Sequence, residues 1–364
     1  MNVFTVPFLL AMAGGFAVLA QPHPGPDGTR ILTGWGGGKA ADVVPKAAAA
    51  GFGELVVHHE NAENFASFIT LGKQHGIGVY AWLYLGDLPA WRKAYPDAPA
   101  PRQVMAPAED EALKRIEADK TAGKSQYQFG GEPVNEVEVL TTPLLCFHDP
   151  RVFKAFCKQI DEMLRVPGIR GVAFDYIGYR NYRCCHCPVS QSQLAAYRKE
   201  HPEMSREVSL ERFSFETLVD FNNRLAAYAR TVKPDGPVIT HIYPVYLPQP
   251  LYGNHLDLDV CGQTAAWFFK PFWSEEKIRA YARVIATEAK RYHSRPHGAA
   301  LIGYGKDPVK SGRRLAAELQ AILDGGCSRV HVCSLNAVLN NPEAAEVFRR
   351  FFGGKRGRVQ AGQE

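Results

Sequence analysis

The sequence predicts an α/β fold, a (β/α)8 TIM barrel with a long insertion between the third strand and the third helix. Short apolar runs rich in β-branched residues alternate with helical stretches of ten or more residues, and eight strand candidates occur in all. Strands that alternate with helices pair in parallel through right-handed crossovers. No Gly-x-Gly-x-x-Gly phosphate turn follows the first strand, which favours a closed barrel over an open nucleotide-binding sheet.

The strand and helix candidates follow one another along residues 31–352. The predicted strands are Ile31–Trp35, Leu55–His58, Gly78–Tyr84, Gly171–Asp175, Val238–Tyr243, Leu258–Gly262, Ala299–Tyr304 and Val330–Cys333. The predicted helices are Ala40–Ala50, Ala62–His75, Pro150–Leu164, Val189–His201, Leu210–Val232, Glu275–Tyr292, Ser311–Asp324 and Pro342–Phe352. Asn61, Asp149 and Asn341 each precede a helix as a capping residue. The insertion, residues 88–148, is expected to be a lid or a substrate-binding loop.

The two ends of the chain are predicted to lie outside the barrel. The first twenty residues carry no charged side chain, and Val18 and Ala20 form a small-residue cleavage pattern before Gln21. A cleaved signal peptide is therefore expected, with a membrane anchor as the alternative. The expected order is a signal peptide at 1–20, a linker at 21–30, the barrel at 31–353 and a flexible tail at 354–364. This order predicts a secreted or periplasmic protein with no stable membrane insertion after cleavage.

The composition favours a carbohydrate over a nucleic acid as the partner. With 42 Lys and Arg against 37 Asp and Glu, the net charge of +5 is too small for a nucleic-acid-binding surface. Aromatic and neutral hydrogen-bonding side chains predominate where the predicted strands end. Such side chains suit a sugar, whose apolar faces stack on aromatic rings. The candidate substrate-binding residues are Trp35, His58, Trp82, Tyr84, His148, Tyr179, His241, Tyr243, Gln263, Trp267, Tyr304 and Asn336.

Asp175 is the strongest candidate for a catalytic residue. Alternation along the fourth strand places Gly171, Ala173 and Asp175 on the inner face, with the carboxylate at the rim. A structural Asp paired with a neighbouring backbone is the alternative. Glycoside hydrolysis requires a second carboxylate, and Asp307, just past the seventh strand, is the candidate. The other candidates are Glu136 and Glu138 in the insertion, and Asp259, which alternation places on the inner face with Cys261 and Gln263.

The histidines leave a metal site as an alternative. In a metal-dependent hydrolase barrel, His58, His148 and His241 would converge near Asp175. The first strand, however, carries no His-x-His pair, so neither a metal nor another cofactor is expected in the active site.

The cysteines fall into two groups. Cys184, Cys185 and Cys187 cluster around His186, which predicts a disulfide-tied loop, with a metal site as the alternative. Four of the remaining five stand in apolar or strand-like surroundings and are expected to be buried free thiols: Cys157, Cys261, Cys327 and Cys333.

Three segments of the chain carry a family resemblance. They are Leu145-Cys146-Phe147-His148-Asp149-Pro150-Arg151-Val152, Gly171-Val172-Ala173-Phe174-Asp175 and Cys184-Cys185-His186-Cys187. Together they resemble the glycoside hydrolase-like (β/α)8 proteins related to the α-fucosidase and β-galactosidase barrels. Those families commonly follow a Gly-hydrophobic-x-Phe-Asp strand with a Cys-x-Cys-x-x-Cys loop, and the first cysteine spacing here departs from that form.

The resemblance implies roles for a few residues. Asp175 would be the catalytic or substrate-anchoring carboxylate, and Gln263, Trp267 and Tyr304 would lie where such barrels hold substrate. The fourth strand does not end in an Asn-Glu pair, so the acid/base role of the large retaining β-glycosidase clan does not transfer. The expected function is an exported glycoside hydrolase, or hydrolase-like enzyme, that cleaves an oligo- or polysaccharide with a carboxylate pair. A non-catalytic carbohydrate-binding barrel and a metal-dependent hydrolase are the alternatives.

Overall fold

The computed structural model describes most of the predicted barrel. The described residues are 30–86, 88–111, 114, 143–175, 177–181, 183–242, 252–268, 272–292, 297–305 and 309–353. The predicted signal peptide, nearly all of the predicted linker and the predicted tail lie outside them, as does much of the insertion. Within the described part of the chain, no helix is both long and apolar enough to cross a membrane.

Eight strands form one closed barrel, so the predicted fold class is confirmed. They are β1 (Ile31–Trp35), β2 (Glu54–Val57), β3 (Gly78–Tyr84), β4 (Gly171–Asp175), β5 (Val238–Ile242), β6 (Val260–Ala266), β7 (His297–Gly303) and β8 (Arg329–Cys333). Neighbouring strands are parallel throughout, and β1 closes the barrel against β8. The carboxyl ends of all the strands therefore meet at one end of the barrel, which we call the mouth.

Helices pack around this barrel. They are α1 (Ala40–Ala49), α2 (Ala62–His75), α3 (Leu88–Ala94), α4 (Pro150–Leu164), α5 (Pro188–Glu200), α6 (Arg206–Val232), α7 (Glu275–Tyr292), α8 (Gly312–Asp324), α9 (Leu335–Leu339) and α10 (Pro342–Phe352), with a 3-10 helix at Tyr252–His255. The predicted caps are confirmed, because the side chains of Asn61, Asp149 and Asn341 each accept a hydrogen bond from a backbone N–H of the first turn. α6 begins before the predicted Leu210, since Ser205 caps it.

The barrel separates two apolar cores. The outer core lies between strands and helices and contains Phe174. The inner core fills the barrel itself: Trp35, Val56, Tyr80, Ala173, Ile239, Val260 and Ala299. Ala173 in the inner core and Phe174 in the outer core confirm the alternation predicted for β4.

The phase predicted for β6 is wrong. Val260 lies in the inner core, whereas Cys261 lies in the outer core. Asp259 precedes β6 at the end opposite the mouth, where its carboxylate accepts a hydrogen bond from the Val238 backbone N–H at 2.9 Å. Successive side chains on a strand point to opposite faces, so one residue of phase exchanges the inner and outer sets. Asp259, Cys261 and Gln263 therefore do not line the inside of the barrel.

A buried polar cluster closes the end of the barrel opposite the mouth. The Glu54 carboxylate is 3% exposed and accepts hydrogen bonds from Thr33 Oγ1 at 2.7 Å and Tyr80 OH at 3.2 Å. Arg329 Nη1 lies 2.6 Å and Arg170 Nε 3.3 Å from its two oxygens. A buried carboxylate needs such partners, because burial removes its hydration. The side chain of Glu54 therefore joins residues of β1, β3 and β8 and the start of β4.

Candidate functional site

Asp175 lies at the mouth, at the last position of β4. Trp82 Nε1 of β3 donates a hydrogen bond to Asp175 Oδ2 at 3.0 Å, and His241 Nε2 of β5 lies 3.0 Å from Oδ1. The carboxylate thus has a nitrogen of a flanking strand beside each oxygen, and Asp175 is only 2% exposed. Polar hydrogens on these nitrogens complement a negatively charged carboxylate and fix its orientation. The structure therefore places the carboxylate at the rim, as predicted, and adds the two side chains that hold it.

His58 and Glu60 continue this site along the loop after β2. The imidazole of His58 stacks on the indole of Trp82, with ring centroids 4.3 Å apart and planes at 17°. His58 Nδ1 lies 3.5 Å from Glu60 Oε1, and both side chains are about half exposed. The hydrogen bond from His58 is the main reason that the pKa of Glu60 falls to about 2. Trp82 therefore links a buried carboxylate on one side to an exposed histidine–glutamate pair on the other.

Trp35 lies beneath the site rather than on its surface. It is fully buried and packs edge-on against His241 at 4.1 Å and Trp82 at 5.6 Å between ring centroids. Below it, burial lowers the pKa of His331 well beneath its usual range, and the charge of Arg329 adds to this. A side chain at Gly262 would collide with the His331 ring, so this position requires glycine. Trp35 supports the two groups that position Asp175.

His148 and Tyr179 belong to a separate cluster outside the barrel. His148 Nε2 and Tyr179 OH are 2.9 Å apart, and His148 Nδ1 lies 2.9 Å from Gln193 Oε1 of α5. The rings of Phe147 and Phe213 stack on His148. Burial is the main reason that the pKa of His148 is lowered. The convergence of His58, His148 and His241 that a metal-dependent hydrolase would need is therefore not formed.

The structure places the other predicted substrate-binding residues in different ways. Tyr84 is half-buried and is the register partner of Asp175 in the β3–β4 pair, so it adjoins the site. Asn336 is exposed, and its Oδ1 accepts a hydrogen bond from the Gly37 backbone N–H at 3.1 Å. This bond ties α9, which follows β8, to the loop after β1.

Three further predicted residues are buried, away from open surface. Gln263 is 1% exposed and donates to Asn254 Oδ1 of the 3-10 helix at 2.6 Å. The inward orientation expected for it is wrong, for the reason given for β6. Tyr304 is 1% exposed and belongs to the outer core, and Trp267 is 4% exposed and packs edge-on against Phe268. Two predicted residues, Tyr243 and Asp307, lie outside the described residues, as do Glu136 and Glu138.

All eight cysteines are free thiols, so the disulfide-tied loop expected around His186 is wrong. Cys146, from the insertion, joins Cys185 and Cys187, and their three Sγ atoms lie within 4.8 Å of one another. Cys146 Sγ and Cys187 Sγ are 3.5 Å apart, well beyond the roughly 2.05 Å of a disulfide bond. Cys184 stands apart, with its Sγ 3.3 Å from His186 Nε2.

The three grouped thiols match the ligand set of a tetrahedral zinc ion. Zinc–thiolate bonds of about 2.3 Å place two sulfurs about 3.8 Å apart. This distance lies between the 3.5 Å that separates the Sγ atoms of Cys146 and Cys187 and the 4.8 Å within which all three sulfurs lie. Ser190 Oγ lies 3.2 Å from Cys187 Sγ and 3.4 Å from Cys146 Sγ, next to the fourth position. A hydrogen bond between Cys146 and Cys185 is the main reason that the pKa of Cys185 is lowered and that of Cys146 is raised, so the pair favours one thiolate, on Cys185. The group ties the insertion to the loop after β4.

If these three thiols hold a zinc ion, Cys185→Ser should lower the zinc content of the purified protein by one ion per chain. The protein, purified after expression with zinc, would be assayed for metal by elemental analysis and for thiols with a chromogenic disulfide. Cys157→Ser is the matched control, because Cys157 is a buried thiol of α4 outside this group. Equal zinc in the wild-type protein and Cys185→Ser would contradict a metal site at these thiols.

A surface groove of about 470 Å³ lies away from the mouth. It runs on the outside of the barrel between α2, α3 and α4, and its lining includes Phe65, Lys93, Gln159 and Glu162. Glu60 and His59 stand at its edge. The groove is thus next to the loop after β2 but outside the strand ends that carry Asp175.

Two side chains of these clusters, Glu60 and Cys146, were not predicted from the sequence. Glu60 follows a strand end by three residues, and its position in the segment His58-His59-Glu60 is the signal that identifies it. Cys146 is distant in sequence from Cys185 and Cys187, and no local pattern joins it to them.

Comparison with known proteins identifies the fold. The chain is similar to a β-galactosidase from Rahnella sp. R3, with a TM-score of 0.58 and 12% identity over 89% of this chain and 56% of that one. It is also similar to α-L-fucosidase isoenzyme 2 from Paenibacillus thiaminolyticus (0.55, 11% identity, 89% and 48%). A third similar structure is the catalytic domain of β-amylase from Paenibacillus polymyxa (0.55, 8% identity, 90% and 98%).

The similarity between this chain and these three structures is a similarity of fold. The resemblance to α-fucosidase and β-galactosidase barrels is confirmed at that level, and the chain spans about half the length of the galactosidase and the fucosidase. No protein-family model matches the chain. No curated protein matches its sequence.

Proposed function

We propose that this protein is a glycosidase that binds a carbohydrate at the mouth and uses Asp175 as its reactive carboxylate. The observation that carries the proposal is the placement of Asp175 at the end of β4, with Trp82 Nε1 and His241 Nε2 each 3.0 Å from one of its oxygens. In a barrel of this type the reacting groups stand at the carboxyl ends of the strands. The similarity in fold to glycoside hydrolases supports the same conclusion.

Asp175 would act on the anomeric carbon of the sugar. A carboxylate held by flanking nitrogens stabilises the positive charge that develops there, either by direct attack or by activating a water molecule. Trp82 and Tyr84, both half-buried beside it, offer aromatic surface to the apolar face of a sugar ring. Asp307 remains the proposed second carboxylate, and the carboxylate pair is part of the proposal.

A screen of substrates tests this function. The wild-type protein and Asp175→Asn would be incubated with aryl α- and β-glycosides and with plant and algal polysaccharides, and released phenol or reducing ends would be measured. We expect hydrolysis of at least one sugar class by the wild-type protein only. Export is part of the proposal, and a mature chain that begins at Gln21 by mass spectrometry would support it.

A carbohydrate-binding barrel without catalysis is the second candidate. The 2% exposure of Asp175 favours it, because a reacting carboxylate must reach its substrate. Calorimetric binding of an oligosaccharide, together with no turnover of any substrate in the screen, would select this function over the first.

A further inference from the structure

We infer that His58, held by Glu60, is the proton donor of the site and protonates the oxygen of the leaving group. This inference rests on the proposed function and deepens it, because it assigns to His58 the acid role for which Asp307 is the other candidate. Cleavage of a glycosidic bond needs an acid as well as the group that acts on the anomeric carbon. His58 and Asp175 flank the same indole, Trp82, one by stacking on its face and the other by accepting its N–H.

The geometry leaves one nitrogen of His58 for a ligand. Nδ1 of His58 lies 3.5 Å from Glu60 Oε1, whereas Nε2 of His58 has no partner among the residues that the structure describes. A Cβ built on Gly37, in the loop after β1, would lie 4.0 Å from His58 Cδ2, so the glycine presents no side chain to this edge of the ring, which adjoins Nε2. His58 is about half exposed, so this edge is open to a ligand at the mouth.

The neighbours of His58 suit an imidazole that carries a proton. The carboxylate of Glu60 and the face of Trp82 both attract a cation. Histidine ordinarily titrates near neutral pH, which is the range in which a general acid works best. Glu60 itself is unsuited to donate a proton, because its pKa is lowered to about 2 and it is ionised at neutral pH. The pair therefore resembles an acid with a carboxylate that orients it.

The proton balance of the step is complete. When the bond between the anomeric carbon and the leaving oxygen breaks, its electron pair stays on that oxygen, which takes the proton from His58 Nε2. If Asp175 forms a covalent glycosyl ester, the neutral imidazole then takes a proton from the water that displaces the carboxylate. If water instead attacks directly from the opposite face, Asp175 takes the proton of that water, and proton exchange with solvent restores both side chains. Hydrolysis is the net reaction, and His58 returns to its protonated form.

The dependence on leaving group tests the inference. For the sugar found in the screen, kcat/KM would be measured with aryl glycosides whose phenols range from 2,4-dinitrophenol to unsubstituted phenol. We expect His58→Gln to lose about 10²- to 10³-fold with the phenyl glycoside but less than about 10-fold with the dinitrophenyl glycoside, which needs no acid. Glu60→Gln should show the same selectivity with a smaller loss. A merely structural role of His58 would lower both rates equally.

Controls separate this inference from the proposed function. His59→Gln is the matched control, because His59 is the next imidazole along the chain and lies near Gln159 at the groove; it should behave as wild type. Asp175→Asn should lose activity on every substrate. Equal losses for both leaving groups in His58→Gln, or the selective loss appearing in Asp307→Asn instead, would overturn the inference and leave the proposed function standing. A wild-type protein that hydrolyses nothing would overturn both.

Discussion

Asp175→Asn is expected to lower kcat on any hydrolysed glycoside by about 10³-fold or more, the size of loss that follows removal of a group acting in the transition state. The amide has nearly the shape of the carboxylate but lacks its charge. The amide NH2 is a hydrogen-bond donor, and it would face Trp82 Nε1 or His241 Nε2 in place of a carboxylate oxygen of Asp175, which accepts. Steady-state kinetics, with circular dichroism to verify the fold, would measure the effect.

Asp175→Ala with added sodium azide distinguishes the two roles open to this carboxylate. If Asp175 attacks the sugar, azide in the vacated space restores turnover of an activated glycoside and yields a glycosyl azide of inverted configuration, readable by NMR, whereas hydrolysis by the wild-type protein retains the configuration. If Asp175 activates water, hydrolysis by the wild-type protein inverts the configuration. Asp220→Asn is the matched control, because it removes an exposed carboxylate of α6 that pairs with Arg224. Unchanged kcat in Asp175→Asn would remove this residue from the mechanism.

Glu54→Gln is expected to lower the free energy of unfolding by about 3 kcal/mol or more, the cost of removing one partner from a buried ion pair. Arg329 and Arg170 lose the negative charge that faces them, while Thr33 and Tyr80 lose part of an acceptor. Urea unfolding followed by fluorescence and by circular dichroism would measure this. Because Glu54 lies at the end opposite the mouth, the kcat of the folded protein should not change.

Glu162→Gln provides the comparison for Glu54. Glu162 lies 2.7 Å from Lys93, but both side chains are exposed, so the loss should stay below about 1 kcal/mol. The double variant Glu54→Leu, Arg329→Met should recover part of the stability lost in Glu54→Gln, since only the partly exposed Arg170 then faces the cluster without a carboxylate. A loss below about 1 kcal/mol in Glu54→Gln would contradict the role of this cluster in closing the barrel.

Local patterns in the chain were sufficient for the elements and for the position of Asp175. Strand and helix periodicities differ, and caps such as Asn61 and Asp149 mark where helices begin, so the order of elements could be predicted residue by residue. Alternation along β4 then put Asp175 on the inner face at the rim. The phase of β6 was predicted wrongly because all seven of its residues are buried, so the strand has no exposed face to anchor the alternation.

The sequence by itself therefore determined the barrel and its reacting end, because both follow from patterns that repeat within a few residues. Only the tertiary structure decided which side chains meet there. Trp82 and His241 contact Asp175 from neighbouring strands. Cys146, near the C-terminal end of the insertion, lies close to Cys185 in the loop after β4. His148 and Tyr179, equally plausible from their place in the sequence, bond to each other outside the barrel. Such contacts depend on strand register and barrel closure, which join residues distant along the chain and leave no periodic trace in it.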